Sequence, residues 1–551
     1  MRITATLFSF LIFFVASGQA PRFINDDGVT LSIHKKNIGR IIFTDQKIEP
    51  SNLRQSDMLK KYRLTNKSNL FITVFLGQSL TNHLHAIDTA LMGDALTRRG
   101  NYQFRLLVDK KLVYESNLHP GAPYARIKNT ETIISKPLID HSNEGAWWSQ
   151  SFWNRFMANG GDSSLTEENH LLRMEICTYV DSPVLRIGPI IAAGEMDIVV
   201  NRVPSIDLNT IRIDPIRPYD GFEISKEFFD TAKIKALKAY AEEGVFRNIT
   251  SIVVLKNGKL AMEEYFNKSA RPALHDVRSV GKSFASTMMG IAIADRFIKN
   301  ENTMLSAYYD LDTFQNMSMV KKQTTLKQLL TMSSAFDGDD AIDSSPGNEE
   351  NMYPSTNWVK FALDLPMDSA KYNNNWHYFT AGVVILGDIL HRKVPGGLEA
   401  YASKKLFTPL GIKTVKWQYT PQGVVNTAGG IKMNALDFAK YGQLYKDQGR
   451  WQGQQLIPES WVAETFTKHI SLPGRSNEYY GLLFWNKTFQ VNGQSYEAFY
   501  CAGNGGNSIF IFRDLPLVIV ITATAYGAGY AHTQVHRIVE QYVLPAFTLP
   551  Q

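Results

Sequence analysis

Cysteine is nearly absent from this chain: its 551 residues hold two, Cys177 and Cys501. Two thiols cannot make a Cys-rich zinc site, and with at most one disulfide the protein must rely on its apolar cores. No run of five or more like charges occurs, and a formal net charge of +6 is spread thinly over the whole length. That excludes a nucleic-acid arm and a polybasic membrane patch. None of the twelve histidines stands at metal-ligand spacing, and there is neither an H-E-x-x-H zincin helix nor a G-x-S-x-G elbow of the α/β-hydrolases. Gly281-Lys282-Ser283 ends like a phosphate-binding P-loop, but residue 276 is Asp where that loop needs glycine. Beyond the N-terminus no apolar run is long enough to span a membrane.

What remains is the composition of a globular protein, 44% hydrophobic, 12% aromatic and 20% charged. A chain of this length is expected to form two or three domains. The first twenty residues stand apart. Arg2 precedes an apolar run from Leu7 to Ala16, followed by the small residues Ser17, Gly18 and Ala20. This is the pattern of a signal peptide over residues 1–20, because the run falls short of the roughly 20 apolar residues of a spanning helix. Pro21 makes cleavage after Ala20 awkward and leaves Gly18 as an alternative. The expected location is exported, periplasmic or secreted.

Residues 21–215 read as a β-rich, all-β accessory domain of sandwich type. Short β-branched and aromatic runs at Phe71–Phe75, Tyr102–Val108 and Leu171–Thr178 are separated by Asn, Asp, Gly and Pro clusters. Trp147, Trp148, Phe152 and Trp153 form either a sugar-binding platform or, more commonly for large aromatics, core. A second domain is expected over 216–551. It opens with a helical pattern from Lys226 to Glu243. Two strand-like runs follow, 249–255 and 259–265, around Asn257-Gly258, the favoured pair for a type I′ turn.

After that hairpin comes Ser279-Val280-Gly281-Lys282. An S-x-x-K spacing alone is weak, since a chain this long holds about two by chance, and Ser318-Met319-Val320-Lys321 is another. Context separates them. Ser279 precedes Phe284, Met288, Met289, Ile291 and Ala292, a helix apolar enough to be buried, whereas Ser318 precedes the polar run Lys321-Lys322-Gln323-Thr324. Residues i and i+3 share a helix face, so a Lys282 amine can reach a Ser279 hydroxyl. Burial at the positive end of the helix disfavours an ammonium there. The Ser279 N–H, unpaired in the first turn, can hold an oxyanion. A capping serine followed by a snorkelling lysine is the plain alternative.

Arg278-Ser279-Val280-Gly281-Lys282-Ser283-Phe284 resembles the nucleophile segment of the serine β-lactamase and penicillin-binding-protein-like hydrolases. Further segments resemble the same family in the same order: Leu329-Leu330-Thr331-Met332-Ser333-Ser334, Pro409-Leu410-Gly411, and Ala428-Gly429-Gly430-Ile431 leading to Asp437-Phe438-Ala439-Lys440-Tyr441-Gly442. The resemblance covers roughly residues 225–545. It implies a three-layer α/β (α+β) domain with a central antiparallel sheet shared by the 249–265 hairpin and the 507–523 strands. It also implies a helical insertion over about 300–420, and a closing helix from Arg537 to Leu544. By the same resemblance Ser279 is the nucleophile, Lys282 the general base, and a tyrosine the proton relay. Tyr372-Asn373-Asn374 matches the family letters better. Tyr378-Phe379-Thr380 matches its spacing, nine residues before Gly387, and Tyr378 is preferred because spacing fixes geometry. Cys501-Ala502-Gly503-Asn504-Gly505-Gly506 resembles the facing strand of the esterase- and amide-hydrolase-like members, with the Asn504 N–H as second oxyanion donor. No Lys or His stands at the family's carboxylate-binding position, which moves the expected substrate from β-lactams toward small-molecule or peptide esters and amides. No metal or cofactor is implied. The alternatives are a D-alanyl peptidase or β-lactamase, and a non-catalytic wall-fragment-binding module.

Overall fold

The computed structural model describes residues 28–120, 125–140, 148–181, 183–342 and 344–548, with backbone alone for 148–151. The expected signal peptide, Trp147 and the side chain of Trp148 lie outside these residues. The chain divides into two compact units, Met1–Arg202 and Val203–Gln551, where the sequence reading set the change at 215.

The first unit is built on one eight-stranded sheet. Its order runs Lys111–Asn117, Gly100–Val108, Asn169–Asp181, Leu185–Val200, Arg40–Thr44, Asn69–Phe75, Ile133–Asp140, with Lys61–Leu64 paired alongside the Leu185–Val200 strand. Both Arg40–Thr44 and Lys61–Leu64 run parallel to that strand. Period-two alternation sorts the side chains: Ile41 and Phe43 enter the main core while Ile42 joins a smaller cluster. The unit is β-rich as expected, but the sandwich is corrected. The apolar face is covered by helices, Leu80–Ile87 and Trp148–Phe156, whose Leu80, Leu84, Phe152, Trp153 and Phe156 complete the core. Leu80 and Leu84 sit one turn apart, a helical period that strand reading passes over. Phe152 and Trp153 are therefore core residues and not a platform.

The second unit holds an antiparallel eight-stranded sheet ordered Lys259–Tyr265, Ile249–Lys256, Leu517–Ala523, Asn507–Phe512, Gln494–Gly503, Trp485–Val491, Tyr479–Tyr480, Ile470–Ser471. The first hairpin turns at Asn257 and Gly258 with φ of 52° and 72°, as a type I′ turn requires. The central strands are buried on both faces. Val253 and Leu255 pack with helix Val280–Ala294, while Ile252 and Val254 pack with helix Thr231–Glu242 and the C-terminal helices. Three layers result. Helix Thr231–Glu242 begins five residues later than its periodicity suggests, because the Asp230 carboxylate caps the Ala232 and Lys233 N–H groups. The C-terminal helix begins earlier than expected, at Ala531, where Ala531, Gln534, Val535 and Ile538 form one buried stripe.

Helix Val280–Ala294 is buried on nearly every side. At Gly290 an added β-carbon would lie 2.3 Å from the Trp461 indole. That indole is fixed by its N–H donating to the Ser286 carbonyl at 3.1 Å. Gly290→Ala gains about 1 kcal/mol of helix propensity but overpacks the core at a cost of about 1–3 kcal/mol. The expected net result is a lowered Tm in thermal denaturation. An unchanged or raised Tm would show that Trp461 has room to move.

Candidate active site

Strand His275–Asp276, paired antiparallel with Ile431–Met433, delivers the chain to a tight turn. Arg278 adopts φ of 51° there, a conformation non-glycine residues rarely take. Its guanidinium lies 4.6 Å from the Tyr526 ring centroid and 3.7 Å from Asp276. Ser279 follows at the cap of helix Val280–Ala294, half-buried, and its side chain makes no capping hydrogen bond. One turn on, Lys282 is 2% exposed. Its Nζ donates to Ser279 Oγ at 2.9 Å and to the Ala428 carbonyl at 2.5 Å. Among the described residues no carboxylate forms an ion pair with it.

The chance motif behaves differently. Ser318 Oγ caps its own helix by accepting the Lys321 N–H. The Lys321 amine turns away to the Gln315 and Leu363 carbonyls at 2.8 and 2.7 Å. Both serines stand at helix starts, but only Ser279 spends its hydroxyl on the lysine.

Glycines let two backbone segments, at 503 and at 429, close on the Ser279 turn. A β-carbon on Gly503 would fall 1.9 Å from the Val277 carbonyl and 3.1 Å from the Ser279 nitrogen. One on Gly429 would meet Arg278, and one on Gly281 would meet Gly429. Gly503 ends the strand Gln494–Gly503, which puts the start of the Asn504 turn beside the Ser279 backbone. Asn504 itself is exposed, and its Oδ1 accepts the Gly527 N–H at 2.8 Å. Gly505 and Gly506 continue with φ of 91° and 90°, values that only glycine takes freely.

Of the two tyrosines, Tyr378 is the one beside the lysine: Lys282 Nζ lies 5.1 Å from its ring centroid. Its ring stacks on Trp485 at 5.9 Å, and Trp376 meets Trp485 edge-on at 5.4 Å. Tyr372 is elsewhere, packed against His377 at 4.3 Å beneath the Lys371 amine. The structure thus brings Ser279, Lys282, Tyr378 and the Asn504 turn together and leaves Tyr372 apart.

Three features here were not visible in the sequence. The Ala428 carbonyl, Trp485 and Asp340 reach the site from remote segments. Asp340 accepts the Thr380 N–H at 3.0 Å and lies close enough to Lys282 to feel its charge. Burial pushes its carboxyl up to about 6. His275, four residues before Ser279, is pushed down to about 4 by burial. Its Nδ1 faces the Thr250 and Thr522 hydroxyls at 3.2 and 3.1 Å, which makes it a neutral group packed on two neighbouring interior strands of the large sheet.

The Beta-lactamase family profile matches residues 234–542, more than half of the chain. The chain belongs to the β-lactamase family, a family of serine hydrolases. No curated protein matches it. Among solved structures it is similar to a putative 6-aminohexanoate-dimer hydrolase from Bacillus anthracis, 19% identical with a TM-score of 0.45, over 55% of this chain and 81% of that one. It is also similar to a putative β-lactamase from Bacteroides dorei DSM 17855, 16% identical with a TM-score of 0.45, over 56% and 98%. A third is the octameric penicillin-binding protein homologue from Pyrococcus abyssi, 17% identical with a TM-score of 0.46, over 57% and 78%.

Proposed function

We propose that this member of the family is an exported hydrolase that cleaves an ester or amide through an acyl-enzyme on Ser279. The observation that carries the reading is the 2.9 Å contact from Lys282 Nζ to a Ser279 hydroxyl that caps nothing. A serine at a helix start normally hydrogen-bonds the first-turn N–H groups. Here the hydroxyl is kept for the amine instead. Among the described residues no salt bridge ties that amine to a carboxylate, and its hydrogen-bond partners are the Ser279 hydroxyl and the Ala428 carbonyl.

In the first step the Lys282 amine, as general base, accepts the Ser279 proton while Oγ attacks the substrate carbonyl. The Ser279 and Asn504 N–H groups receive the oxyanion, each contributing about 3 kcal/mol to the barrier reduction. Tyr378, held against the lysine, passes the proton to the leaving alcohol or amine. Water then enters, loses a proton along the same route and releases the acid. The aromatic surroundings and the sequence Gly503-Asn504-Gly505-Gly506, which has no Lys or His at the family's carboxylate-binding position, favour carboxylester and amide substrates over β-lactams.

Treatment with a fluorophosphonate, followed by peptide mapping, tests the assignment. The adduct is expected on the peptide that contains Ser279. An adduct on any other residue, or none alongside measurable ester hydrolysis, would sink it. Assays on nitrocefin and on D-alanyl-D-alanine peptides in parallel are expected to give far lower turnover than p-nitrophenyl esters. The reverse ranking would make the protein a β-lactamase or wall peptidase.

A further inference from the structure

Helix Thr380–Lys393 starts without a cap of its own. Phe379 stands at its cap position and offers no acceptor. The acceptor comes from forty residues upstream, where Asp340 Oδ2 takes the Thr380 N–H at 3.0 Å. The Asp340 N–H in turn donates to the Tyr378 carbonyl at 2.9 Å. One residue therefore holds both ends of the Tyr378-Phe379-Thr380 stretch. Its other oxygen accepts the Glu349 N–H at 2.9 Å.

The same upstream segment grips the residue in between. Phe336 stacks on Phe379 at 5.6 Å. A β-carbon on Gly338 would lie 2.3 Å from the Phe379 ring and one on Gly382 2.6 Å, so the ring is clamped between two glycines. Residues 336–340 thus form the seat on which Tyr378 is mounted. Three groups face the carboxylate electrostatically: Glu349, which opposes its charge, Lys282, which favours it, and Tyr353, whose phenol donates to Glu349 at 2.7 Å.

We propose that Asp340 is the positioning residue for Tyr378, its carboxylate fixing the phenol beside Lys282, and that protonation of this carboxylate loosens the phenol and slows acyl transfer. The inference rests on the reading of Tyr378 as the proton relay. An ionised carboxylate accepts both backbone N–H groups, whereas a protonated one carries a donor that opposes one of them. Because burial holds the acid up at about 6, the clamp is complete above that pH and is lost as pH falls through it. Folding stability moves the other way. A carboxyl raised from its ordinary value binds its proton more tightly folded than unfolded, so its contribution falls as pH rises from about 4 to about 6. Activity and stability then have opposite slopes across one window, which a purely structural carboxylate would not produce.

The test compares kcat, KM and fluorophosphonate labelling rate from pH 4.5 to 8.5 in wild type, Asp340→Asn, Tyr378→Phe and the double variant. Wild type is expected to lose about tenfold in kcat through an apparent midpoint near 6, with KM little changed. Asp340→Asn is expected to lower kcat roughly 10- to 100-fold at pH 8 and to flatten that limb. In the Tyr378→Phe background the same change should cost no more than about twofold, since both act through one hydroxyl. A limb that persists unmoved in Asp340→Asn, or a full cost in the double variant, overturns the inference. If Asp340→Asn fails to fold, the Tyr378→Phe profile decides: a missing limb supports the clamp and a retained limb overturns it. Tyr378→Phe with wild-type kcat would instead refute the proton-relay reading itself.

Discussion

Ser279→Ala is expected to lower kcat on a p-nitrophenyl ester roughly a million-fold, and Lys282→Ala by nearly as much. A nucleophile and the base that activates it work as a unit, so removing either leaves only oxyanion stabilisation and binding. The double variant should then be no worse than about tenfold below Ser279→Ala. The physical basis is the single short contact between Oγ and Nζ. Without the amine the hydroxyl has no acceptor for its proton. Without the hydroxyl the amine has nothing to activate. KM should move little, because neither group is needed to hold the ground-state substrate. Ser279→Ala should also leave Tm within about a degree, since its hydroxyl makes no cap and its partner retains the Ala428 carbonyl. Retention of more than a tenth of the activity in Lys282→Ala would show that another group takes the proton.

The parts of this site that lie on one element were legible in the sequence, and those that depend on two elements meeting were not. Ser279 and Lys282 share a helix, so i, i+3 geometry places them together before any tertiary structure is known. The first hairpin was equally local, announced by Asn257-Gly258. Tyr378 needed a spacing argument, because the letters favoured Tyr372, and its mounting on Asp340 had no signature at all. A remote cap replaces the Ser, Thr, Asp or Asn expected just before helix Thr380–Lys393. Nothing in the run Trp376-His377-Tyr378-Phe379-Thr380 marks that substitution. The first unit shows the same limit at the scale of a fold. Three of its strands were readable from β-branched and aromatic runs between turn residues, but whether a second sheet or a pair of helices covers them is set by Leu80, Leu84 and Phe152 meeting strands distant in the chain.

The strand that closes the site offers the second large effect, at Gly503. Its backbone is ordinary extended strand, so conformational freedom is not the reason for glycine there. Space is: a β-carbon would stand 1.9 Å from the Val277 carbonyl oxygen, far inside contact distance, and neither atom belongs to a flexible side chain. Gly503→Ala must therefore push the strand end and the 277–279 turn apart by more than an ångström. Those two segments carry the Asn504 and Ser279 N–H groups, so the displacement falls on the proposed oxyanion donors. The expected loss is about 10²- to 10³-fold in kcat, with labelling of Ser279 slowed in proportion and about 1–3 kcal/mol of stability lost to overpacking. Gly493→Ala is the matched control. Gly493 has φ of 76° and open space around it, so alanine there costs about 1–2 kcal/mol of backbone strain and leaves kcat unchanged. If Gly503→Ala kept kcat within threefold of wild type, the oxyanion could not lie between these two backbones. The second donor would then have to be sought away from the Asn504 turn.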